Sequence, residues 1–261
     1  MQSVRRRPKS LWSPLWSAYR AAWSIPALRA ILPSRSYGTK PSPVKRLAVA
    51  LVTITCALML PASLLRAEPA ARPVKIVVLG DSLSAGLGLG AADAFPAKLQ
   101  RALTAKGVQV DIVNAGGSGD TAAGGLARLD WSVPDGTDAV VVELGANDAL
   151  RGLDPKLTQE ALASILKRLN ERHIVVLLAG MQAPRNLGPD YGRAFDKVFA
   201  DLAAQNDVVF YPFFLDGVAA NPSLNQPDGI HPTAAGVDVI VANILPKVEE
   251  LVARARKKAG S

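Results

Sequence analysis

The sequence is poor in the residues that most often build metal centres and covalent cross-links. Its 261 residues include one cysteine, Cys56, and only two histidines, His173 and His231. A single cysteine cannot form a disulfide within the chain, and it cannot supply a cysteine-based zinc site. With two histidines, a histidine-rich metal centre is not expected either.

Acidic residues are absent from the N-terminal quarter. Residues 1–67 contain eleven lysines or arginines and no acidic residue, whereas the remainder holds all 22 acidic residues against 19 basic ones. The net charge of +8 therefore originates in the first quarter, and the rest of the chain is slightly acidic. A nucleic-acid-binding domain would carry its basic patch on the folded part, so we expect no nucleic-acid partner.

The N-terminal quarter has the features of a targeting segment. Residues 47–60 are apolar, Lys45 and Arg46 precede them, and a small residue, Ala67, stands at the expected cleavage position. This order predicts a signal peptide over 47–67 and a periplasmic or secreted bacterial protein. The stretch 47–65 is also long enough for an uncleaved membrane anchor, which would hold the rest of the protein on the periplasmic side of the membrane. Residues 1–46 are a basic extension, either disordered or preceding the true start, and 68–261 suit one domain.

Five apolar, β-branched runs alternate with helical patterns in that domain. The runs cover 74–80, 108–116, 139–145, 174–180 and 208–213, and helices are predicted at 95–107, after Asp120, at 155–172, at 191–205 and from about Thr233 to Lys258, with Pro246 breaking or kinking the last. The alternation predicts a three-layer α/β fold with a doubly wound parallel five-stranded sheet. Right-handed crossovers favour the flavodoxin-like strand order 2-1-3-4-5.

Polar, glycine-rich segments follow the first three strands. They read Gly80-Asp81-Ser82, 116–120 (Gly-Gly-Ser-Gly-Asp) and 145–148 (Gly-Ala-Asn-Asp). In the order 2-1-3 these strand ends are immediate neighbours at one edge of the sheet, where ligands bind in such folds. We therefore expect the functional site there.

A serine and a histidine in these segments suggest nucleophilic catalysis. Ser82 needs a base to become a nucleophile, and His231, with Asp228 three residues upstream, can supply one. His173 precedes the fourth strand at the opposite edge and is predicted to be a surface residue. The segment 227–232 alone fits a structural interpretation equally well, in which Asp228 caps a turn and His231 is a helix-entry residue.

Attack on an ester carbonyl also creates an oxyanion, which needs hydrogen-bond donors already in place. The amides of Ser82 and Gly119 and the side chain of Asn147 can supply three. Each of these segments, taken singly, is also a common turn or helix cap. Because all three follow adjacent strands, and a base exists elsewhere, the combination favours a catalytic site.

Together these segments resemble the four sequence blocks of the SGNH hydrolases. Gly80-Asp81-Ser82-Leu83 resembles the GDSL signature, and the segments 114–121, 145–148 and 228–232 resemble the second, third and fourth blocks. The resemblance covers about residues 73–252, includes 124–129, and is strongest to the bacterial arylesterase and thioesterase–lysophospholipase group of that family.

The resemblance implies a serine esterase without a metal or a cofactor. Ser82 is then the nucleophile, Asp228 and His231 complete the triad, and Ser82, Gly119 and Asn147 form the oxyanion hole. Substrates would be aryl or short-to-medium acyl esters, with lysophospholipids or acyl thioesters as further candidates. By position and analogy, 87–95, 182–192 and 213–218 would line the acyl pocket. Alternatives are a carbohydrate O-deacetylase of the same fold and a non-catalytic binding protein.

A dinucleotide-binding domain is disfavoured by the position of its glycines. The sequence from Gly86 to Ala91 formally fits G-x-G-x-x-A. However, the first strand ends near Leu79, so these glycines come too late for the strand-to-helix turn, and no acidic residue ends the second strand.

Overall fold

The computed structural model describes residues 72–260. The predicted N-terminal extension, 1–46, and the predicted signal peptide or anchor, 47–67, lie outside these residues. No helix within 72–260 combines the length and the apolar character that crossing a bilayer requires.

Five parallel strands form one sheet in the predicted order β2-β1-β3-β4-β5. The strands are β1 (Val74–Gly80), β2 (Val110–Gly116), β3 (Ala139–Glu143), β4 (Val175–Ala179) and β5 (Val209–Tyr211). Four consecutive residues of β1, Ile76 to Leu79, are at most 2% exposed. Since successive side chains of a strand point to opposite faces, both faces of the sheet are covered at β1.

Helices cover the sheet in two groups. The helices are α1 (Ser82–Ala85), α2 (Phe95–Ala105), α3 (Ala122–Ala127), α4 (Leu129–Ser132), α5 (Ala146–Leu150), α6 (Pro155–Glu171), α7 (Pro189–Gln205) and α8 (Ala234–Ala259), with short 3₁₀ turns at Ala91–Asp93 and Arg185–Leu187. α2 packs against α8, whereas α6 packs against α3 and α7. The predicted three-layer α/β fold is thereby confirmed.

Pro246 does not break the last helix. A break or a kink was expected there, and α8 runs from Ala234 to Ala259 with Pro246 inside. Proline removes one backbone hydrogen bond, to the carbonyl four residues earlier. Buried side chains on both sides of it, including Ile244 and Val248 at 0% exposure, hold the two halves of the helix against the sheet.

The strand register determines where the functional segments start. Gly80, the last residue of β1, pairs with Gly116 of β2 and with Glu143 of β3. The segments that follow these three strands therefore leave the sheet at the same level. The functional site was predicted at this edge of the sheet. His173 lies at the other end of β4, exposed, as expected.

Candidate active site

Three side chains from the first and last sequence blocks form a hydrogen-bonded chain. The Oγ atom of Ser82 lies 2.9 Å from Nε2 of His231, and Nδ1 of His231 lies 2.6 Å from Oδ2 of Asp228. These distances join a hydroxyl, an imidazole and a carboxylate in the order required to move the serine proton to the imidazole. The structure thus brings together all three predicted triad residues.

The turn that carries Asp228 and His231 is fixed by its own backbone. The Gln226 amide donates to the His231 carbonyl at 2.7 Å, and the Gly229 amide donates to the Gln226 carbonyl at 2.9 Å. Inside the turn, Oδ1 of Asp228 accepts from the amides of Ile230 at 2.9 Å and His231 at 3.0 Å. The carboxylate therefore caps the turn and orients the imidazole at once, so the two interpretations of this segment are compatible.

The same hydrogen bonds keep Asp228 ionised. Those from the amide and the ring of His231, with that from the Ile230 amide, lower the pKa of the Asp228 carboxyl to about 2. Because an ionised carboxylate can only accept, Nδ1 of His231 has to be the donor in their contact. This leaves the lone pair of Nε2 facing Ser82.

Ser82 opens a short helical turn directly after β1. It is the first residue of α1, and Asp81 before it caps the turn by accepting from the Leu83 amide at 2.9 Å. The hydroxyl is thereby held at the sheet edge, where it faces His231.

Two of the three predicted oxyanion donors are free to act. Within residues 72–260, neither the Ser82 amide nor the Gly119 amide donates a hydrogen bond to the protein. Gly119 has a φ of 85°, a left-handed conformation that glycine adopts without strain. The Gly119 carbonyl is held by Nη2 of Arg151 at 2.7 Å, which fixes the orientation of this turn.

Asn147, the third predicted donor, is engaged within the protein. Its Nδ2 atom donates to Oδ2 of Asp81 at 3.0 Å and to the Asp120 carbonyl at 2.9 Å. Both amide hydrogens are thus used, so one of these bonds has to be shared or exchanged before Asn147 can bind an oxyanion. Asp148 beside it is structural, since it accepts from the Ala122 amide and the Thr158 hydroxyl.

Two buried carboxyls lie behind Ser82, a feature that the sequence did not reveal. Oε2 of Glu143 accepts from the Ser84 hydroxyl at 2.6 Å and from the Asp81 amide at 3.3 Å, and its Oε1 has no partner among the described residues. Burial raises the pKa of Asp81 to about 6, against the opposing hydrogen bonds from Leu83 and Asn147. Burial, and then the charge of Asp81, raise the pKa of Glu143 well above its usual value.

A cavity of about 670 Å³ opens beside Ser82, His231 and Asn147. Its remaining wall is largely apolar and includes Leu150 of α5, Met181 after β4, and Phe213 and Leu215 after β5, as well as Gln182 to Arg185. The expected contributions of 182–192 and 213–218 are thus borne out in part. The expected contribution of the segment 87–95 is not observed, since none of its residues lines this cavity.

Within residues 72–260, no cluster of three or more histidine, cysteine, aspartate or glutamate side chains could hold a metal ion. The site chemistry described here rests on hydrogen-bonded side chains and backbone amides.

The neutral form of Glu143 predicts a specific pH dependence of stability. The native state keeps this proton above pH 4.5, where the unfolded chain releases it, so the free energy of unfolding falls as the pH rises. Glu143→Gln cannot titrate. We expect its free energy of unfolding, relative to the unsubstituted protein, to increase as the pH rises above 4.5, by at most about 1.4 kcal/mol per pH unit.

Urea denaturation at a series of pH values measures this difference. Glu160→Gln, which removes an exposed carboxyl from α6, is the control and should give no such trend. Parallel pH dependences for Glu143→Gln and the unsubstituted protein would show that Glu143 is ionised in the native state.

Comparison with known proteins agrees with this geometry. The family model described as GDSL-like lipase/acylhydrolase matches residues 78–239. Esterase TesA of Pseudomonas aeruginosa is 43% identical over 178 residues, covering 68% of this chain and 89% of that protein. The thioesterase 1/protease 1/lysophospholipase L1 of Escherichia coli is 38% identical over 178 residues, covering 68% and 84%.

A solved structure supports the same relationship. The crystal structure of AlinE4, an SGNH-hydrolase family esterase, matches with a TM-score of 0.59 and 44% sequence identity, over 70% of this chain and 98% of that one. The resemblance found in the four sequence blocks is thereby confirmed. The chain belongs to the GDSL-like lipase/acylhydrolase family and is an ester hydrolase of that family.

Proposed function

We propose that this hydrolase cleaves carboxylic esters through an acyl-enzyme on Ser82, with aryl or short-to-medium acyl esters as substrates. The observation that carries the proposal is the chain of two hydrogen bonds, 2.9 Å and 2.6 Å long, from Ser82 through His231 to Asp228. No other part of the described chain pairs a serine with an imidazole.

In the first half of the reaction, Ser82 Oγ attacks the ester carbonyl carbon and its proton passes to Nε2 of His231. The imidazolium that forms is stabilised by the ionised Asp228 on its other nitrogen. The carbonyl oxygen becomes an oxyanion, and the free amides of Ser82 and Gly119 donate to it. The bond to the leaving oxygen then breaks, and His231 returns its proton to the alcohol.

In the second half, water attacks the acyl-enzyme. His231 takes a proton from the water, the same two amides hold the second oxyanion, and the bond from the carbonyl carbon to Ser82 breaks as the proton returns to Oγ. Asn147 joins the amides by sharing one Nδ2 hydrogen with the oxyanion while it keeps its bond to the Asp120 carbonyl. The carboxylic acid leaves and the enzyme is restored.

The cavity favours substrates with an apolar acyl chain. Beyond the catalytic group its wall is built mostly of aliphatic and aromatic side chains such as Leu150, Met181, Phe213 and Leu215, which stabilise a hydrocarbon chain but offer few partners to sugar hydroxyls. This favours acyl esters over the carbohydrate O-deacetylase alternative. The name of the Escherichia coli relative adds acyl thioesters and lysophospholipids as further candidates.

Replacing Ser82 tests the reaction. We expect Ser82→Ala to lower kcat for p-nitrophenyl esters by about 10³-fold or more, because the acyl-enzyme cannot form. Assays with acyl chains of two to twelve carbons would also define the chain-length preference of the cavity. Ser164→Ala, which removes an exposed hydroxyl from α6, is the matched control.

Retention of most turnover by folded Ser82→Ala would exclude Ser82 as the nucleophile. Absence of turnover on every ester, combined with release of acetate from an acetylated oligosaccharide, would favour the deacetylase alternative. Inactivity on both substrate classes would favour a non-catalytic binding protein.

Replacing Asp228 tests the orientation of the base. In Asp228→Asn, the amide oxygen retains the turn hydrogen bonds and places NH₂ against Nδ1, so the ring has to carry its hydrogen on Nε2 and cannot accept the serine proton. We expect kcat to fall by about 10²- to 10⁴-fold at neutral pH. Asp207→Asn, at an exposed ion pair with Arg254, serves as the control. A decrease of less than about 5-fold would leave Asp228 with a role in the turn only.

We further propose that residues 47–67 direct export, so that the mature enzyme is periplasmic or secreted and starts near Glu68. Intact-mass analysis of the exported protein would identify its N-terminus. Recovery of an uncleaved chain in the membrane fraction would support the alternative, an anchor formed by 47–65 that faces the protein to the periplasm. A mature protein in the cytosol starting at Met1 or Gln2 would contradict both.

A further inference from the structure

We propose that Arg128 is a positioning residue for the reaction, which sets the distance between the two amides that bind the oxyanion. The inference rests on the proposed esterase function and concerns a side chain outside the triad and the oxyanion hole. Arg128 is not among the residues that line the cavity, and its hydrogen bonds go to Asp120, Ser132 and the Gly80 carbonyl.

The guanidinium of Arg128 joins the two donor segments directly. Its Nη2 donates to the Gly80 carbonyl at 2.8 Å, two residues before Ser82. Its Nε donates to Oδ2 of Asp120 at 2.5 Å, one residue after Gly119. A planar guanidinium fixes the angle between these two bonds, which a flexible ammonium does not.

The sheet cannot perform this function, because its ladder ends too early. The last residue pair between β1 and β2 is Gly80 with Gly116. Beyond this pair, a backbone bond from the Gly117 amide to the Gly80 carbonyl, 2.9 Å long, still joins the segments. Arg128 binds the same carbonyl and reaches past Gly119 to Asp120, so it spans the part of the loop that carries the second donor.

The surroundings of Arg128 are closely packed. The Arg128 side chain is 16% exposed and that of Asp120 is 27% exposed. A Cβ atom on Gly117 would lie 2.4 Å from Oδ2 of Asp120 and 3.2 Å from Nη2 of Arg128. The ion pair thus lies in close contact with the backbone of the loop, which has room only for glycine at position 117. A shift of the ion pair would therefore move the loop that carries the Gly119 donor.

The third donor depends on the same bridge. Asn147 donates to the carbonyl of Asp120, whose side chain Arg128 holds. One guanidinium therefore acts on the segments after β1 and β2 directly, and on Asn147 after β3 through Asp120. Since oxyanion stabilisation requires donors placed before the reaction, loosening the bridge should weaken the transition state more than the bound substrate.

Kinetics of Arg128→Gln and Arg128→Lys test the proposal. We expect both to lower kcat for a p-nitrophenyl ester by about 10- to 100-fold while KM stays within about 2-fold, the size expected when donors are misplaced by a fraction of an ångström. Lysine keeps the charge but cannot form both bonds in one plane. It also guards against the case in which glutamine prevents folding.

A transition-state analogue separates positioning from general damage. A trifluoromethyl ketone with the same acyl chain forms an adduct with Ser82 that places an oxyanion among the donors, whereas the matching N-methyl amide binds without one. We expect the Arg128 variants to lower the affinity for the ketone by the same factor as they lower kcat. The affinity for the amide should stay unchanged. In an Asn147→Ala background, the effect of Arg128→Gln should shrink, because both changes disturb one donor set.

Two control variants each remove a similar hydrogen bond that does not join the donor segments. Ser132→Ala removes the third contact of the same guanidinium, 2.9 Å from Nη1. Arg172→Gln removes a partly buried arginine that binds the Val133 carbonyl at 2.6 Å, away from the site. We expect both to affect stability without changing kcat or the affinity for the ketone.

Full activity of Arg128→Lys would overturn the inference, and so would an equal loss of affinity for the ketone and for the amide. So would additive effects of Arg128→Gln and Asn147→Ala. These results differ from failure of the proposed function, which would appear as absence of ester turnover in the unsubstituted protein.

Discussion

The shared register of β2, β1 and β3 is the constraint on which the rest of the site depends. Gly80 pairs with both Gly116 and Glu143, so three loops leave the sheet side by side. Strand spacing of about 5 Å then places the Ser82 hydroxyl, the amides of Ser82 and Gly119 and the side chain of Asn147 after the ends of three neighbouring strands. The proposed base comes from near the other end of the chain, in a turn from Gln226 to His231 that lies directly before the last helix, whose start is capped by Thr233.

This arrangement places carboxyls where they are unfavourable for stability. Asp81 caps the turn of Ser82 and accepts from Asn147, and both contacts favour its ionised form. Glu143 lies immediately behind it, and two adjacent buried charges would repel strongly. The raised pKa of Glu143 resolves the conflict, since a neutral carboxylic acid can still bind Ser84 and the Asp81 amide. The site therefore tolerates one buried charge near its donors, together with an oxygen of Glu143 that has no partner within residues 72–260.

The sequence predicted the elements of the site better than the contacts that support them. Continuous apolar runs and the polar residues after them were sufficient to derive the sheet order, and the spacing of Asp228 and His231 was sufficient to suggest a base. Contacts between distant side chains were not predictable in this way. Glu143 is an ordinary strand end in the sequence, and Arg128 an ordinary helix-flanking cation, until the fold places them against Asp81 and Asp120. The continuity of α8 through Pro246 likewise depends on packing, which outweighs the local preference of proline.

The proposed chemistry and most of the apolar cavity wall are built from different parts of the sheet. Ser82, Gly119 and Asn147 follow the three strands β1, β2 and β3, whereas Met181, Phe213 and Leu215 follow β4 and β5. Leu83 and Leu150 are apolar residues of the same wall that follow β1 and β3. The bridge through Arg128 also stays within the first group. A change in the size of Phe213 or Leu215 therefore alters which acyl chain fits without moving the nucleophile relative to the donors. Loops that vary while a rigid scaffold holds the chemistry let one reaction serve many esters. The same separation explains why the four sequence blocks identify the reaction more sharply than the substrate.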